Sequence, residues 1–112
     1  MESDRYEYLL AQSAEIDIND IFEYIAEVLS NPDAAGALAD ALEEKFEEIC
    51  TVPKLGRIID NEFAMRDDVR IVHVKNYLVY YFIDDVEKKI IVIRVIYNRR
   101  NQEEALSNTD YI

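Results

Sequence analysis

The sequence predicts an α+β fold with two layers, in which a hairpin of two helices covers one face of a mainly antiparallel four-stranded sheet. Two amphipathic helical patterns occupy residues 14–49, and three strand-like runs follow over residues 69–97 with short polar breaks. Another strand-like run lies near the N-terminus. The predicted element order is therefore β-α-α-β-β-β, in which elements joined by short loops pack as neighbours.

Length and composition predict one globular domain over residues 1–112. Half of the 112 residues are apolar and only four are Gly or Pro, so the chain can bury a core. No apolar run reaches the length of a membrane span, and the acidic N-terminus lacks the layout of a signal peptide. Cys50 is the single cysteine, which excludes an internal disulfide. We therefore expect a cytoplasmic protein without a membrane partner.

The net charge of −12 lies entirely in the N-terminal half. Residues 1–50 contain 14 acidic and two basic residues, whereas residues 51–112 contain ten of each. An acidic surface repels nucleic acid. A local basic patch is therefore expected only from the second half of the chain.

The N-terminal elements are a strand over Tyr6–Leu10 and a helix over about residues 14–29, for which Ser13 is the predicted N-cap. Apolar residues recur there at steps of three and four, which is the pattern of a helix with one buried face. The members of this stripe are Ile18, Ile21, Phe22, Ile25, Val28 and Leu29.

The second helix begins at Pro32 after Asn31, which is a favourable N-cap, and Pro53 stops it. Its apolar stripe consists of Ala35, Leu38, Leu42, Phe46 and Ile49. Its acidic residues have helical spacing without histidine partners, so they indicate a solvated face rather than metal ligands. No cofactor or metal is predicted.

Val69–Lys75, Tyr77–Ile83 and Ile90–Tyr97 are rich in β-branched and aromatic residues and predict an antiparallel meander. Alternation places Tyr77 and Tyr81 on one face and Tyr80 on the other. It also groups Val92 with Arg94 and Ile96, opposite Ile93, Val95 and Tyr97. Residues 51–57 read as a loop, residues 58–68 have no clear pattern, and Gln102–Leu106 fits a short C-terminal helix.

With these elements the chain resembles RelE/ParE-family toxins of type II toxin–antitoxin pairs over nearly its full length. The resemblance rests on the order and spacing of short pieces. These are Ala14, Asp17–Ile18, Ile21 and Tyr24–Ile25 in the first helix, Asn31–Pro32 and Ala35 in the second, Pro53 and Gly56–Arg57 in the loop, then Arg70, Asn76–Tyr81 and Arg94–Arg100.

The resemblance implies a bacterial cytoplasmic toxin that a cognate antitoxin holds inactive. ParE-like members inhibit DNA gyrase, whereas RelE-like members cut mRNA on the ribosome. Leu78 follows Tyr77 where the RelE pattern has an arginine, and the ending with Arg94 and the Arg99–Arg100 pair is similar to the ParE-like, plasmid-stabilisation branch. The acidic charge departs from both branches, which are usually basic. A member that has lost toxicity and keeps only antitoxin binding is therefore a third hypothesis.

Candidate site residues follow from this resemblance and from their chemistry. RNA cleavage needs proton-transfer groups and positive charge, for which the candidates are Arg70, His73, Tyr97 and Arg99. The candidates for target binding are Tyr80, Arg94, Arg99 and Arg100. Each has an ordinary structural alternative: a packed histidine, tyrosines that pack on the sheet, an ion pair between Arg94 and a helix carboxylate, and solvated arginines at a strand end.

Overall fold

The helical hairpin forms where the apolar spacing predicts it. In the computed structural model, which describes residues 5–59 and 66–98, helix α1 spans Gln12–Glu23 and continues through a π-helical turn, Tyr24–Val28. Helix α2 spans Pro32–Thr51. The side chain of Asn31 accepts a hydrogen bond from the Ala34 N–H at 3.1 Å, so the predicted cap of α2 is confirmed.

The start and the end of the first helix differ from the prediction. Its N-cap is Ala11, while the Ser13 hydroxyl donates to the carbonyl of Ile93 at 2.6 Å. The apolar stripe is buried or partly buried as far as Ile25, but Val28 and Leu29 are exposed. The wider π-helical turn changes the rotation per residue, so these two side chains no longer follow the buried face.

The sheet has five strands in the order β1-β5-β4-β3-β2. Their bounds are β1 Glu7–Leu10, β2 Arg57–Ile58, β3 Arg70–Val74, β4 Tyr77–Asp84 and β5 Lys89–Tyr97. Strand β1 runs parallel to β5 and the other pairs are antiparallel. The predicted strand count was one too low, because the two-residue β2 spans the junction between the predicted loop (51–57) and the segment without a clear pattern (58–68). The predicted Gln102–Leu106 helix lies outside the described residues.

Both helices pack on one face of the sheet, which we call the helix face; the opposite one is the outer face. Tyr81, Val79 and Val92 are fully buried on the helix face, in one core with Leu38 and Ile49 of α2. Burying apolar area against the sheet is the main force that holds the hairpin in place. The predicted two-layer architecture is confirmed.

Strand β5 contains a β-bulge that sequence alternation does not predict. Tyr80 lies opposite Arg94, yet the next residue, Tyr81, lies opposite Val92, so Ile93 is an extra residue. Val92 and Val95 are both buried, three positions apart. The predicted grouping of Val92 with Arg94 was therefore wrong.

Candidate functional site

One candidate arginine, Arg70, is engaged in holding a loop. Its Nη1 donates to the carbonyl of Gly56 at 2.6 Å. The hydroxyl of Tyr81 lies in the same cluster, donating to the Pro53 carbonyl at 2.7 Å and accepting from the Gly56 N–H at 2.8 Å. We call these four residues the loop clamp. Arg70, predicted as a catalytic candidate, here binds a backbone carbonyl.

The loop clamp is a partly buried network of three hydrogen bonds, centred on the buried hydroxyl of Tyr81. Tyr81 has no exposed surface, and its burial raises the pKa of the phenol, with smaller opposing effects from the Gly56 N–H and from Arg70. The hydroxyl therefore stays protonated and can donate to Pro53. A satisfied network of this kind rigidifies a segment, because breaking one bond leaves a buried polar group unpaired.

A second candidate, Arg94, forms a bidentate ion pair with Asp17 of α1. The two N···O distances are 2.7 and 3.0 Å, and these hydrogen bonds raise the pKa of Arg94. The Arg94 side chain is nevertheless half exposed, whereas Asp17 is 15% exposed. The ion pair with a helix carboxylate, which is the structural alternative for Arg94, is therefore present, and half of the Arg94 side-chain surface remains exposed.

Asp17 and Ser13 also replace a strand partner at the edge of β5. Strand β1 ends at Leu10, opposite Val92. Beyond that point the Ser13 hydroxyl donates to the Ile93 carbonyl, and the Asp17 carboxylate accepts from the Val95 N–H at 2.9 Å. Residues four apart share one helix face, so α1 continues the hydrogen bonding where β1 stops.

The target-binding candidates Tyr80 and Arg94 lie side by side on the outer face. They are direct cross-strand partners of β4 and β5, Tyr80 also lies opposite Ile71, and Ile71 lies opposite Arg57. Directly opposed residues share a face. The four form a row across the sheet, with an exposed arginine at each end and the partly exposed Tyr80 and the buried Ile71 between them.

The remaining catalytic candidates within the described chain lie apart. His73 is an exposed outer-face residue opposite Leu78. Tyr97 is on the helix face, with its ring centroid 5.4 Å from that of Tyr77. On strand β4, Tyr77 lies opposite Tyr97 and Tyr81 lies opposite Arg70. Because Tyr77 and Tyr81 are four residues apart, Tyr97 and Arg70 are separated by roughly 13 Å along the strand direction.

Arg99 and Arg100 lie outside the described residues. The three catalytic candidates that the structure describes, Arg70, His73 and Tyr97, do not converge on one point. Of the predicted site residues within the described part of the chain, the structure brings Tyr80 and Arg94 together as direct cross-strand partners.

A groove of about 740 Å³ lies between α2 and the edge of β3, and His73 contributes to its lining. Its charged side chains are of both signs, with Glu47 paired to Arg5 and Glu48 paired to Lys45 at 3.0 Å. Strand β2 covers β3 only as far as Ile71, so the described chain has no strand beside His73 on this edge. The edge is a place where an extended peptide can add a strand.

A second groove, of about 700 Å³, lies at the tip of the helical hairpin, between the hairpin and the end of the sheet. We call it the tip groove. Ile25 and Leu38 form part of its apolar lining, and Tyr24, Tyr77 and Tyr97 line it with aromatic rings. Burial, and next the neighbouring Tyr97, raises the pKa of Tyr77. The sequence did not predict this site, because Tyr24 and Leu29 lie within the first helical pattern and the pattern does not show which of its apolar residues are exposed.

Within residues 5–59 and 66–98, no cluster of three or more His, Cys, Asp or Glu side chains has the arrangement of a metal site. In the same part of the chain, no helix is both long enough and apolar enough to span a membrane.

Comparison with known proteins gives a consistent set of matches. A family model described as the ParE toxin of the type II toxin–antitoxin system, parDE, matches residues 8–102. The fold is similar to a chain from the chromosomal ParDE toxin–antitoxin system of P. aeruginosa, with a TM-score of 0.66 and 18% identity over 85% of this chain and 98% of that chain. It is also similar to a chain of the toxin–antitoxin complex RelBE2 from Mycobacterium tuberculosis, with a TM-score of 0.59 and 19% identity over 83% and 98% of the two chains. No curated protein matches the sequence significantly.

Proposed function

This chain belongs to the ParE toxin family of type II toxin–antitoxin systems, and from that premise we propose that it is a toxin that inhibits DNA gyrase and is neutralised by a cognate antitoxin. The observation that carries the proposal is the family match over residues 8–102. The likeness to a chain of a ParDE system supports the same branch.

The arrangement of charged side chains supports binding over catalysis. Cleavage of RNA by its 2′-hydroxyl needs a base, an acid and positive charge within reach of one phosphate. Arg70 donates to Gly56, Arg94 is paired with Asp17, and His73 and Tyr97 lie on opposite faces of the sheet. A toxin that acts by occupying a site on its target needs no such convergence.

The outer-face row is the surface that we propose for the target. Tyr and Arg are the residues that most often dominate binding energy at protein interfaces. Here Tyr80 and Arg94 adjoin each other on a rigid sheet, and Arg57 lies at the far end of the row. Asp17 holds the guanidinium of Arg94 in one orientation, which lowers the entropy that binding must remove.

A ribosome-dependent mRNA endoribonuclease of the RelE type is the second candidate. The likeness to a chain of the RelBE2 complex favours it, and Arg99 matches the C-terminal arginine of that branch. Leu78 opposes it, because the RelE pattern has an arginine at that position.

A non-toxic member that retains antitoxin binding is the third candidate, and the charge of −12 favours it. Ribosomes and DNA-bound gyrase carry strong negative fields, which repel an acidic protein unless its helices face away. The outer-face row lies on the face of the sheet opposite the packed helices, and the helix carboxylate that reaches it is Asp17, which is paired with Arg94.

The deciding experiment is pulse labelling of a bacterial culture after sudden induction, with methionine and thymidine incorporation measured side by side. An early stop of thymidine incorporation supports gyrase inhibition, which a supercoiling assay with purified gyrase then tests directly. If methionine incorporation stops first, the endoribonuclease replaces our proposal. Unchanged incorporation of both labels, with soluble protein present, leaves the non-toxic function.

Arg99 provides a test at the level of one residue. We expect Arg99→Ala to weaken growth inhibition without changing the circular dichroism spectrum or the urea midpoint, since charged arginine side chains are rarely part of a protein core. Lys54→Ala, which removes one exposed positive charge from the loop after α2, is the matched control and should retain full inhibition. Equal inhibition by the Arg99 variant and the wild type would remove Arg99 from the target surface.

A further inference from the structure

A third arginine, Arg66, lies on the outer face beside the row that contains Arg57 and Arg94. Its guanidinium carbon is 3.7 Å from the centroid of the Phe82 ring. Phe82 follows Tyr80 by two residues on β4, so both rings project from the outer face at a spacing of roughly 7 Å. The sequence gives no pattern around Arg66, and only the folded chain places it against this ring.

Arg66 is held in the same way as Arg94. Asp68 accepts from Nε and Nη2 of Arg66, both at 2.8 Å, just as Asp17 accepts from Nε and Nη2 of Arg94. These hydrogen bonds raise the pKa of Arg66 and lower the pKa of Asp68. The two arginine side chains are 48% and 50% exposed, and in each pair Nη1 is the nitrogen that the carboxylate does not use. Each guanidinium is therefore fixed in orientation and keeps donors for a partner.

The two arginines adjoin the two rings of β4. Arg66 covers one face of Phe82, and Arg94 lies directly across the strand pair from Tyr80. A guanidinium is planar, so one that stacks on a ring can stack a second planar group on its other face. Arginine and tyrosine are also the residue types that most often dominate binding energy at protein interfaces. The outer face thus combines aromatic surface with oriented hydrogen-bond donors.

The charge of this surface favours a protein partner over a nucleic acid. Arg66 and Arg94 are paired with carboxylates of this chain, and Lys89 of β5 is paired with Glu7 at 2.8 Å. Of these three cations and Arg57, only Arg57 has no ion pair within the described residues. Binding to nucleic acid depends on unpaired cations that neutralise phosphates, and a net charge of −12 adds repulsion. Rings and oriented donors in a nearly neutral surface fit uncharged protein groups instead.

We infer that Arg66 is a second target-binding arginine of the outer face, and that with Arg94 and Tyr80 it binds an uncharged, aromatic segment of a protein target rather than a nucleic-acid backbone. An aromatic side chain of the target stacks on the exposed face of the Arg66 guanidinium, and backbone carbonyls next to it accept from the Nη1 groups. Asp17 and Asp68 are positioning residues, because they act through the arginines. The inference rests on the proposed function in that the protein target is gyrase.

Two small probes test the inference without gyrase. One is the neutral peptide acetyl-Gly-Trp-Gly-amide and the other is a single-stranded thymidylate tetranucleotide, each titrated into the full-length protein and followed by NMR. We expect the peptide to shift the Nε–H signals of Arg66 and Arg94 and the amide signal of Tyr80. Its affinity should change less than about twofold between roughly 50 and 200 mM salt, because no phosphate is neutralised. The tetranucleotide should bind at least about tenfold more weakly.

Purified gyrase tests the arginine itself. Arg66→Gln should weaken gyrase binding by roughly tenfold, and Arg66→Lys should bind as weakly, because an ammonium group lacks the planar fork that stacks and pairs. Asp68→Asn should weaken binding less than Arg66→Gln does. Lys45→Gln is the matched control: it also breaks one exposed ion pair, with Glu48 on α2, and should leave binding unchanged. The urea midpoints of the two Gln variants should be similar, since exposed ion pairs contribute little to stability.

The inference is overturned if the tetranucleotide binds more tightly than the peptide, if the peptide leaves the Arg66 and Arg94 signals unchanged, or if Arg66→Gln binds gyrase as tightly as the wild type does. The last result would leave gyrase inhibition standing and remove only Arg66 from the target surface. If the wild type has no affinity for gyrase, the proposed function fails, and the two probes still decide which chemistry the outer face binds.

Discussion

The loop clamp and the hairpin tip both contain a tyrosine, but the tyrosine is buried and hydrogen-bonded at the clamp and exposed at the tip. At the clamp, a tyrosine and an arginine are tied to backbone groups of Pro53 and Gly56, and Tyr81 is completely buried. At the tip, Tyr24 and Leu29 are more than half exposed beside Ser30, which has a positive φ. Side-chain type alone does not distinguish structural residues from interaction residues; burial and hydrogen-bond partners do.

The difference has an energetic meaning. The clamp contributes to stability because removing the Tyr81 hydroxyl leaves the buried Gly56 N–H without its partner. An exposed apolar surface contributes little to folding, and its free energy becomes available when a partner covers it. We therefore expect substitutions at the clamp to change stability and those at the tip to change binding.

Gly56→Ala is the largest expected effect. A Cβ on Gly56 would lie 2.8 Å from the Ile71 carbonyl oxygen and 2.9 Å from a methyl group of Val72, so the clamp would have to move. We expect a loss of about 3 kcal/mol in the free energy of unfolding from urea melts. Gly36→Ala is the matched control: no atom lies within 4 Å of its Cβ position, and it should stabilise α2 by about 1 kcal/mol. Shifts of the same sign in both variants would contradict the assignment.

Tyr81→Phe should cost about 2 kcal/mol, because the Gly56 N–H and the Pro53 carbonyl both lose a buried partner. Burial raises the pKa of Tyr81 in the folded state. Its contribution is therefore fully present below the unfolded pKa of about 10 and is lost as the pH rises through the folded pKa. Urea melts at neutral and alkaline pH should show a smaller alkaline decline in the Phe variant. A decline equal to that of the wild type would exclude Tyr81 as its source.

Ser30→Gly should stabilise the protein by about 1 kcal/mol, since glycine adopts a positive φ without steric cost. The measurement is the thermal midpoint, compared with that of Ser13→Gly. Ser13 donates to the Ile93 carbonyl, so its replacement should lower the midpoint. A destabilised Ser30→Gly variant would mean that the Ser30 side chain has a role of its own at the tip.

Leu29→Ala has the smallest expected effect on stability, below about 0.5 kcal/mol, as for an exposed side chain away from any network. Leu38→Ala, at a leucine that is 1% exposed, should cost about 3 kcal/mol. The two urea melts compare the same substitution on the two sides of the hairpin. If the costs prove similar, Leu29 belongs to the core and the tip is not an open surface.

Much of the architecture was predictable because local chemistry determines it. Asn31 and Pro32 determine the start of α2 locally, because a capping side chain and the fixed φ of proline both act within one helical turn. Alternation correctly placed Tyr77 and Tyr81 on one face of the sheet and Tyr80 on the other, and the structure shows that the helices cover the first of these faces. Tyr80 and Arg94 were each predicted as target-binding residues, but only the register between β4 and β5 shows that they are neighbours.

The prediction failed where distant segments meet. Ser13 was predicted to cap its own helix but donates to the Ile93 carbonyl. Arg70 was predicted as a catalytic residue but donates to the Gly56 carbonyl in the loop. The bulge at Ile93 shifted the faces of β5, and no local pattern marks it. In each case the deciding partner is remote in sequence.

By itself the sequence determined the element order, the two-layer class, the resemblance to a toxin family and the concentration of negative charge on the helices. These follow from periodicity, capping and composition, which act over a few residues. Only the tertiary structure decided that Arg94 is paired with Asp17, that Arg70 is part of a clamp, and that Leu29 is exposed beside the tip groove. Burial and hydrogen-bond satisfaction depend on which remote segments pack together, and that arrangement exists only in the folded chain.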